Sequence, residues 1–299
     1  LAASLGITSS ALDSVPMIAL STTQERQAME KGWWQTTGVL GPLADTAKWQ
    51  TRVERTDQAV GAVRRALRES VAGKPGVAQI DVPIDVSTDE TGLDILPPIT
   101  NHRAPLHRPW PDPAAIQQCE SLIRDAARPV ILIGGGAAFS NAGDALIALA
   151  EKLHAPVVNT PTSRSVVPET HELVLGPSGI VGYEPIGNAI READLVIAIG
   201  SRLSDIQTSR GELLPEGAPL IQVDIDGAAI GKEYTPTVGV CADARAFTES
   251  LNDTLRDMDK PDARRDWVAS LNRRIADWYE AWHKATPDNG QVQPQELVR

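Results

Sequence analysis

Apolar positions recur along this chain with two periods. At the start, Leu1, Leu5, Thr8 and Leu12 lie four, three and four residues apart, the spacing of one helix face. "DSVP" then turns the chain, and "VPMIAL" (15–20) is a short apolar run of strand type. Helical spacing returns over 57–71, where Val60, Val63, Leu67 and Val71 predict the apolar face of a crossover helix. "GVAQIDVPIDV" (76–86) predicts a second strand, stopped by Pro83. Strand, crossover helix and strand imply a parallel sheet.

From Ser87 to Pro113 both periods vanish in a proline-rich stretch, "ILPPITNHRAPLHRPWPDP", which reads as a surface linker. The alternation then resumes. "AAIQQCESLIRDA" predicts a helix, "RPVILIGGG" a buried strand ending in a glycine turn, "NAGDALIALAEKL" a helix and "APVVNT" a strand. "EPIGNAIREA", "DLVIAIGSRLSD", "APLIQVDID" and "DARAFTESLNDTL" carry it to about residue 258. Strands of four to six apolar residues without internal alternation are covered on both faces. The expected class is α/β with doubly wound parallel sheets: one partial domain over 1–90, a linker over 91–112 and a complete Rossmann-like domain over 113–258. Residues 259–299 form a further helix and linker. In that helix Trp267, Leu271, Ile275, Trp278 and Trp282 recur every three or four residues, a stripe read as packing. The first helix has neither cap nor initiator methionine, so a preceding segment is expected.

Composition narrows the function classes. The net charge is −11, against the basic footprint of a nucleic-acid partner. No apolar run approaches the roughly 18–20 residues that cross a membrane. Cys119 and Cys241 stand far apart and read as separate thiols, and the five histidines show no ligand spacing. No metal site is expected on these residues, and a cytoplasmic location is the expectation.

Three strand ends carry candidate chemistry. Gly134, Gly135 and Gly136 follow a strand and precede a helix, where a phosphate can approach backbone N–H groups. The dinucleotide fingerprint asks for a glycine where Phe139 stands and an acid where Asn159-Thr160 stand, so a tight structural turn is an equal reading. Arg202, in "IGSRLSD", offers a planar fork for phosphate oxygens, or a salt bridge to Asp205 or Glu212. "VDID" ends a strand with Asp224 and Asp226, either acceptors for ribose hydroxyls or turn caps. "GWWQTT" sets Trp33, Trp34 and Gln35 on a loop, as pocket lining or as core cover. No nucleophile elbow, Walker loop or paired catalytic carboxylates occur.

The ordered pieces resemble the thiamine-diphosphate-dependent enzymes of the acetolactate synthase type. "SSALDSVPMIAL", "WWQTT", "AKWQTRV" and "SVAGKPGVAQIDVPIDV" are similar to segments of that family's pyrimidine-binding domain. "RPVILIGGGA", "APVVNTPTSRSVVPETHELVLG", "ADLVIAIGSRLSD", "IQVDID" and "ADA" resemble its central domain, and "QPQELVR" resembles the entry to its diphosphate-binding domain. The resemblance implies a parent that decarboxylates a 2-keto acid and transfers the resulting two-carbon unit, using thiamine diphosphate and Mg²⁺, as a homo-dimer or tetramer. It places Trp34, Gln35 and Lys48 at the substrate pocket. It sets Gly134, Gly135, Gly136, Thr160, Ser201, Arg202, Asp224, Asp226 and Asp243 around a central groove for FAD or ADP. The family's cofactor-activating glutamate has no counterpart from Leu1 onward, and no Gly-Asp-Gly motif occurs. No catalytic residue is therefore expected in this chain, which reads as an inactive fragment. Where flavin-using members carry "GxRFDD", Leu203 and Ser204 depart from the pattern. A non-catalytic nucleotide-binding or scaffold module is a rival reading. So is a relative such as glyoxylate carboligase, sulfoacetaldehyde acetyltransferase or oxalyl-CoA decarboxylase.

Overall fold

A computed structural model describes residues 3–34, 36, 38–90, 107–258 and 262–284, and only the backbone of 282–284. The chain divides into two compact units, Leu1–Arg108 and Pro109–Arg299. The proline-rich stretch from residue 91 to 106, Gln35 and everything after residue 284 lie outside the described residues.

The first unit runs α1 (Ser4–Leu12), β1 (Met17–Thr23), α2 (Arg26–Met29), β2 (Trp49–Arg52), α3 (Ala59–Val71), β3 (Val77–Pro83) and α4 (Ile84–Ser87). Its strands form a parallel three-stranded sheet, β1-β3-β2. The small core comprises Val53, Ala66, Ala78, Ile80 and Val86. α3 presents Ala66 and Ser70 to the interior, while Val60, Val63 and Leu67 remain exposed. The stripe expected to face the sheet therefore points outward, because the small residues of α3 lie against the sheet. α1 likewise buries none of its residues, and Leu5 and Leu12 face out.

The second unit runs α5 (Pro113–Asp125), β4 (Pro129–Ile133), α6 (Gly135–Phe139), α7 (Gly143–Leu153), β5 (Val157–Asn159), β6 (Val174–Pro177) and α8 (Glu184–Arg191). It continues with β7 (Leu195–Ile199), α9 (Asp205–Thr208), β8 (Leu220–Asp224), β9 (Val238–Cys241), α10 (Ala244–Thr254) and α11 (Asp262–Lys284). Six parallel strands form one sheet in the order β6-β5-β4-β7-β8-β9. Winding starts at β4, proceeds one way to β6, then reverses to run through β7, β8 and β9. The switch point lies between β4 and β7, where ligands of open α/β sheets bind, outside the strand carboxyl ends.

Alternate residues of the strands enter two cores. Ile131, Ile133, Val157, Ile197, Ile199 and Ile221 meet α5, α7 and α10. Val130, Leu132, Val158, Val196 and Ala198 meet α8 and the α11 stripe, where Leu271 is buried beside Trp267 and Ile275. Asp112 caps α5, accepting from Ala114 N at 2.8 Å, with Pro113 at the first helical position. Arg264, fully buried near the start of α11, donates to Ile123 O, Ala126 O and Leu153 O. These carbonyls end α5 and α7, so one guanidinium joins three helices. Burial depresses its pKa, an effect opposed by Asp194.

Candidate functional site

The switch point is built by close backbone approach. Gly134 N donates to Ile199 O at 3.0 Å, and Gly136 N to Gly200 O at 3.0 Å. A Cβ on Gly134 would stand 2.3 Å from Gly200 O, and one on Gly136 2.8 Å from Gly200 Cα. Gly200 itself has φ +63°, and a Cβ there would lie 2.5 Å from Ala137 N. Glycine is thus required on both sides, because the turn after β4 packs directly on the end of β7. Two of the three amides considered for a phosphate are engaged in that junction. Gly135 is the one not so engaged, and a Cβ on it would meet only the Thr162 side chain, at 3.2 Å.

Beyond β7 the loop is strained. Leu203 is 1 % exposed yet left-handed, with φ +54°. Ser201 holds this loop, donating to Gln207 Oε1 at 2.9 Å and accepting from Leu203 N at 3.3 Å. Arg202, half-buried, follows it. After β8, Asp224 Oδ1 accepts from Asp226 N at 2.9 Å, and Asp226 Oδ1 from Ala228 N at 3.0 Å. Each carboxylate therefore closes a local turn, and both are partly exposed.

Two other expected groove residues hold positions of a different kind. Thr160 is fully buried and closes a capping box with Ser163. Asp243 is 2 % exposed and caps α10 through Ala246 N, while both its oxygens lie 2.8 Å from Ser140 Oγ. The parallel topology brings the ends of the adjacent strands β4, β7 and β8 to one edge, with Gly135 after β4, Arg202 after β7 and Asp224 at the end of β8.

Asn159, at the carboxyl end of β5, entered the sequence reading only as a residue that is not the fingerprint acid. It is fully buried, and neither its side-chain nitrogen nor its oxygen has a hydrogen-bond partner. Nearby, Arg164 grips Glu169 with two bonds of 2.8 and 2.7 Å. That grip holds the Glu169 carboxyl below the usual range, with a smaller contribution from Asn159 in the same direction. Asn159 is therefore close to Glu169, although no bond of good geometry joins them.

In the first unit Trp34 is 78 % exposed. The Lys48 ammonium donates to Ala72 O and, at 2.9 Å, to Lys74 O, just past the end of α3. Burial lowers its pKa and Glu69 opposes that shift. Lys48 thus anchors the amino-terminal side of the sheet, where its N–H bonds Val77 O at 2.8 Å. Pattern reading also missed a buried charge. Asp81, inaccessible on β3, accepts from Arg52 Nε at 2.7 Å, Thr23 Oγ1 at 3.1 Å and Ser21 Oγ at 3.3 Å, tying the three strands together. The signal was available in the alternation of polar Ser21 and Thr23 along β1.

Among the described residues no group of three His, Cys, Asp or Glu side chains is placed to hold a metal ion. No helix among them is long and apolar enough to cross a membrane. Cys119 is inert by burial, which pushes its thiol up to about 12.

Residues 116–251 match the family model of the thiamine pyrophosphate enzyme central domain. A probable acetolactate synthase large subunit of Methanocaldococcus jannaschii is 29 % identical over 98 % of this chain and 49 % of its own length. The acetolactate synthase large subunit of Corynebacterium glutamicum is 33 % identical over 82 % of this chain and 39 % of its own. A glyoxylate carboligase of Escherichia coli O157:H7 is 27 % identical over 97 % and 48 %. The chain spans about half the length of the curated relatives it matches, or less.

Proposed function

We propose that this chain, whose second unit carries the match to the thiamine pyrophosphate enzyme central domain, is a span of a 2-keto-acid decarboxylating carboligase resembling acetolactate synthase. The observation that carries this reading is the alignment of 98 % of the chain with an acetolactate synthase, together with the central-domain match over 116–251. Under this reading residues 1–90 are part of a pyrimidine-binding domain, 91–112 a linker, 113–258 the central domain and 259–299 the approach to a diphosphate-binding domain. The whole enzyme would use thiamine diphosphate and Mg²⁺, act on a 2-keto acid in the cytoplasm, and assemble as a homo-dimer or tetramer. The described residues do not fit the metal, since none form a ligand set. No step of the reaction is assigned to them, and this chain by itself is expected to be inactive. Trp34 and Gln35 would line the substrate pocket of the whole enzyme. Lys48, engaged at the end of α3, would support the fold beside it.

The central groove is proposed to take an adenine nucleotide, FAD before ADP. Gly135 and Arg202 would face the pyrophosphate, and Asp224 and Asp226 the ribose, while Thr160, Ser201 and Asp243 hold the surrounding backbone. The buried, left-handed Leu203 beside Arg202 favours a functional loop there.

Reading the gene outward on both sides tests the enzyme assignment. A glutamate-bearing segment upstream and a Gly-Asp-Gly motif downstream support it; flanking stop codons make the chain a scaffold or nucleotide-binding module. The purified chain is expected to release no CO₂ from pyruvate above background with thiamine diphosphate and Mg²⁺ supplied. Release above background would overturn its inactivity. Calorimetric titration tests the groove: Arg202→Ala should weaken nucleotide binding about ten- to a hundredfold, given roughly 1.5–3 kcal/mol for a charge-assisted contact.

A further inference from the structure

We propose that the groove between α7 and α10 binds a linear amine, whose ammonium groups are held between the Trp110 ring and a set of carboxylates. The site stands apart from the nucleotide groove, since no strand residue lines it.

Trp110 is the first sign. It is 64 % exposed, although a tryptophan has a large apolar area to bury. A single exposed aromatic is ordinary, but this one is braced. Pro109 and Pro111 flank it and restrict the backbone on both sides. Asp243 N donates to Pro109 O at 2.9 Å, and Asp112 caps α5 through Ala114 N at 2.8 Å. The indole is therefore displayed on a short, anchored strap. It forms one wall of a cavity of about 430 Å³, within the roughly 300–1,000 Å³ of small-molecule sites.

The rest of the lining asks for a positively charged donor. Asp144 in the first turn of α7, with Glu249 and Asp253 on α10, sets three carboxylates against the single guanidinium of Arg245. Arg245 Nε bonds Glu249 Oε1 at 2.7 Å, while Asp144 acts on it only through space. Asp253 meets Arg256 at 3.1 Å, but those side chains are 77 % and 74 % exposed, and such a pair is weak. Asn252 adds a spare acceptor: its Nδ2 donates to Ala145 O at 2.9 Å, and its buried Oδ1 has no partner among the described residues. An aromatic face, carboxylates and an acceptor together suit an ammonium, which donates hydrogen bonds and sits over a ring. Glu249 and Asp253 stand four residues apart, about 6 Å along the axis of α10. Carboxylates that succeed one another along a groove suit charges spaced along a methylene chain. The net charge of −11 draws such a cation to the molecule.

The test titrates spermidine, a trilysine peptide and Mg²⁺ calorimetrically into the 299-residue chain at low salt. Thermal unfolding of each variant without ligand shows that it folds. An amine is expected to bind, with Mg²⁺ displacing it poorly. Trp110→Ala should weaken amine binding about two- to fivefold, the range of an exposed cation–π contact. Trp110→Phe, which keeps a ring, should weaken it less, and it replaces the alanine variant should that fail to fold. Asp144→Asn should also weaken binding. Arg245→Ala should tighten it, because it releases Glu249 to the ligand. Tighter binding of spermidine assigns the site to a free amine, and tighter binding of trilysine assigns it to lysines of a protein segment. The inference is overturned if neither amine binds, or if Mg²⁺ competes equally, which would show counterion attraction only. It is also overturned if both Trp110 variants bind as the wild type does, or if Arg245→Ala binds no more tightly. None of these results bears on the Arg202-dependent groove.

Discussion

Among single residues, the glycines of "IGGG" divide by what surrounds them. Gly134→Ala drives a methyl to 2.3 Å from a backbone carbonyl and 2.7 Å from Ser201 Cα, neither of which can rotate away. The ends of β4 and β7 would have to part, and overpacking of this kind costs roughly 1–3 kcal/mol or more. Gly135→Ala meets only the Thr162 hydroxyl at 3.2 Å, a contact that a rotamer change relieves. Chemical denaturation should therefore show Gly134→Ala clearly destabilised and Gly135→Ala close to wild type. Equal destabilisation by both would show that the turn packs differently. The sequence revealed that glycine was needed after β4 but could not separate these roles. A tight turn and a phosphate loop ask for the same residue, and only the approach of Gly200 decides between them. Asn159 was equally opaque, because its missing partners are a property of the folded surroundings.

For the elements, α11 shows how a helix joins a sheet that is already complete. Its apolar stripe lies on one core, Arg264 ties its start to the ends of α5 and α7, and Arg274 pairs with Glu192 at the end of α8 through contacts of 2.9 and 2.8 Å. The side-chain bonds from Arg274 hold the Glu192 carboxyl below its ordinary range. Since the folded pKa lies below the unfolded value, about 4.3 for glutamate, this stabilisation is present above that pH and is lost as pH falls through the folded pKa. Both side chains are more than a third exposed, so the contribution is about 0.2–1 kcal/mol. Glu192→Gln should lower the urea midpoint slightly at pH 7 and by less at a pH below the unfolded value. A constant difference between the two pH values would rule out the pair as its source. Elements with strong periods were legible: β4, β5, β7 and β8 and the helices α5, α7 and α10 fall where apolar spacing predicts them. The strands that escaped were those whose residues do not advertise burial. β2 is "WQTR", half-buried throughout; β6 includes Gly176 and Pro177; β9 alternates between buried and exposed as an edge strand.

At the scale of the whole molecule, the two units differ in how completely they enclose themselves. The second unit's sheet is covered on both faces. In the first unit Leu20 on edge strand β1 is 69 % exposed, and Val63 and Leu67 on α3 are 44 % and 50 % exposed. Ile18 and Leu20 pair in register with Ala78 and Ile80, whose side of the sheet α3 covers, so the exposed strand residues share a face with that helix. An open strand edge beside exposed apolar side chains favours association, and single exposed leucines elsewhere would not carry that weight. Under the homo-oligomer reading, a second copy of the chain takes this face. The chain should therefore sediment as a dimer or larger species at micromolar concentration. Leu67→Glu, which places a charge in that patch without touching the buried side of α3, should shift it toward monomer while leaving its helical circular dichroism unchanged. A wild type that already sediments as a clean monomer would remove the case for self-association through this face. A variant that stays oligomeric would move the contact elsewhere on the molecule.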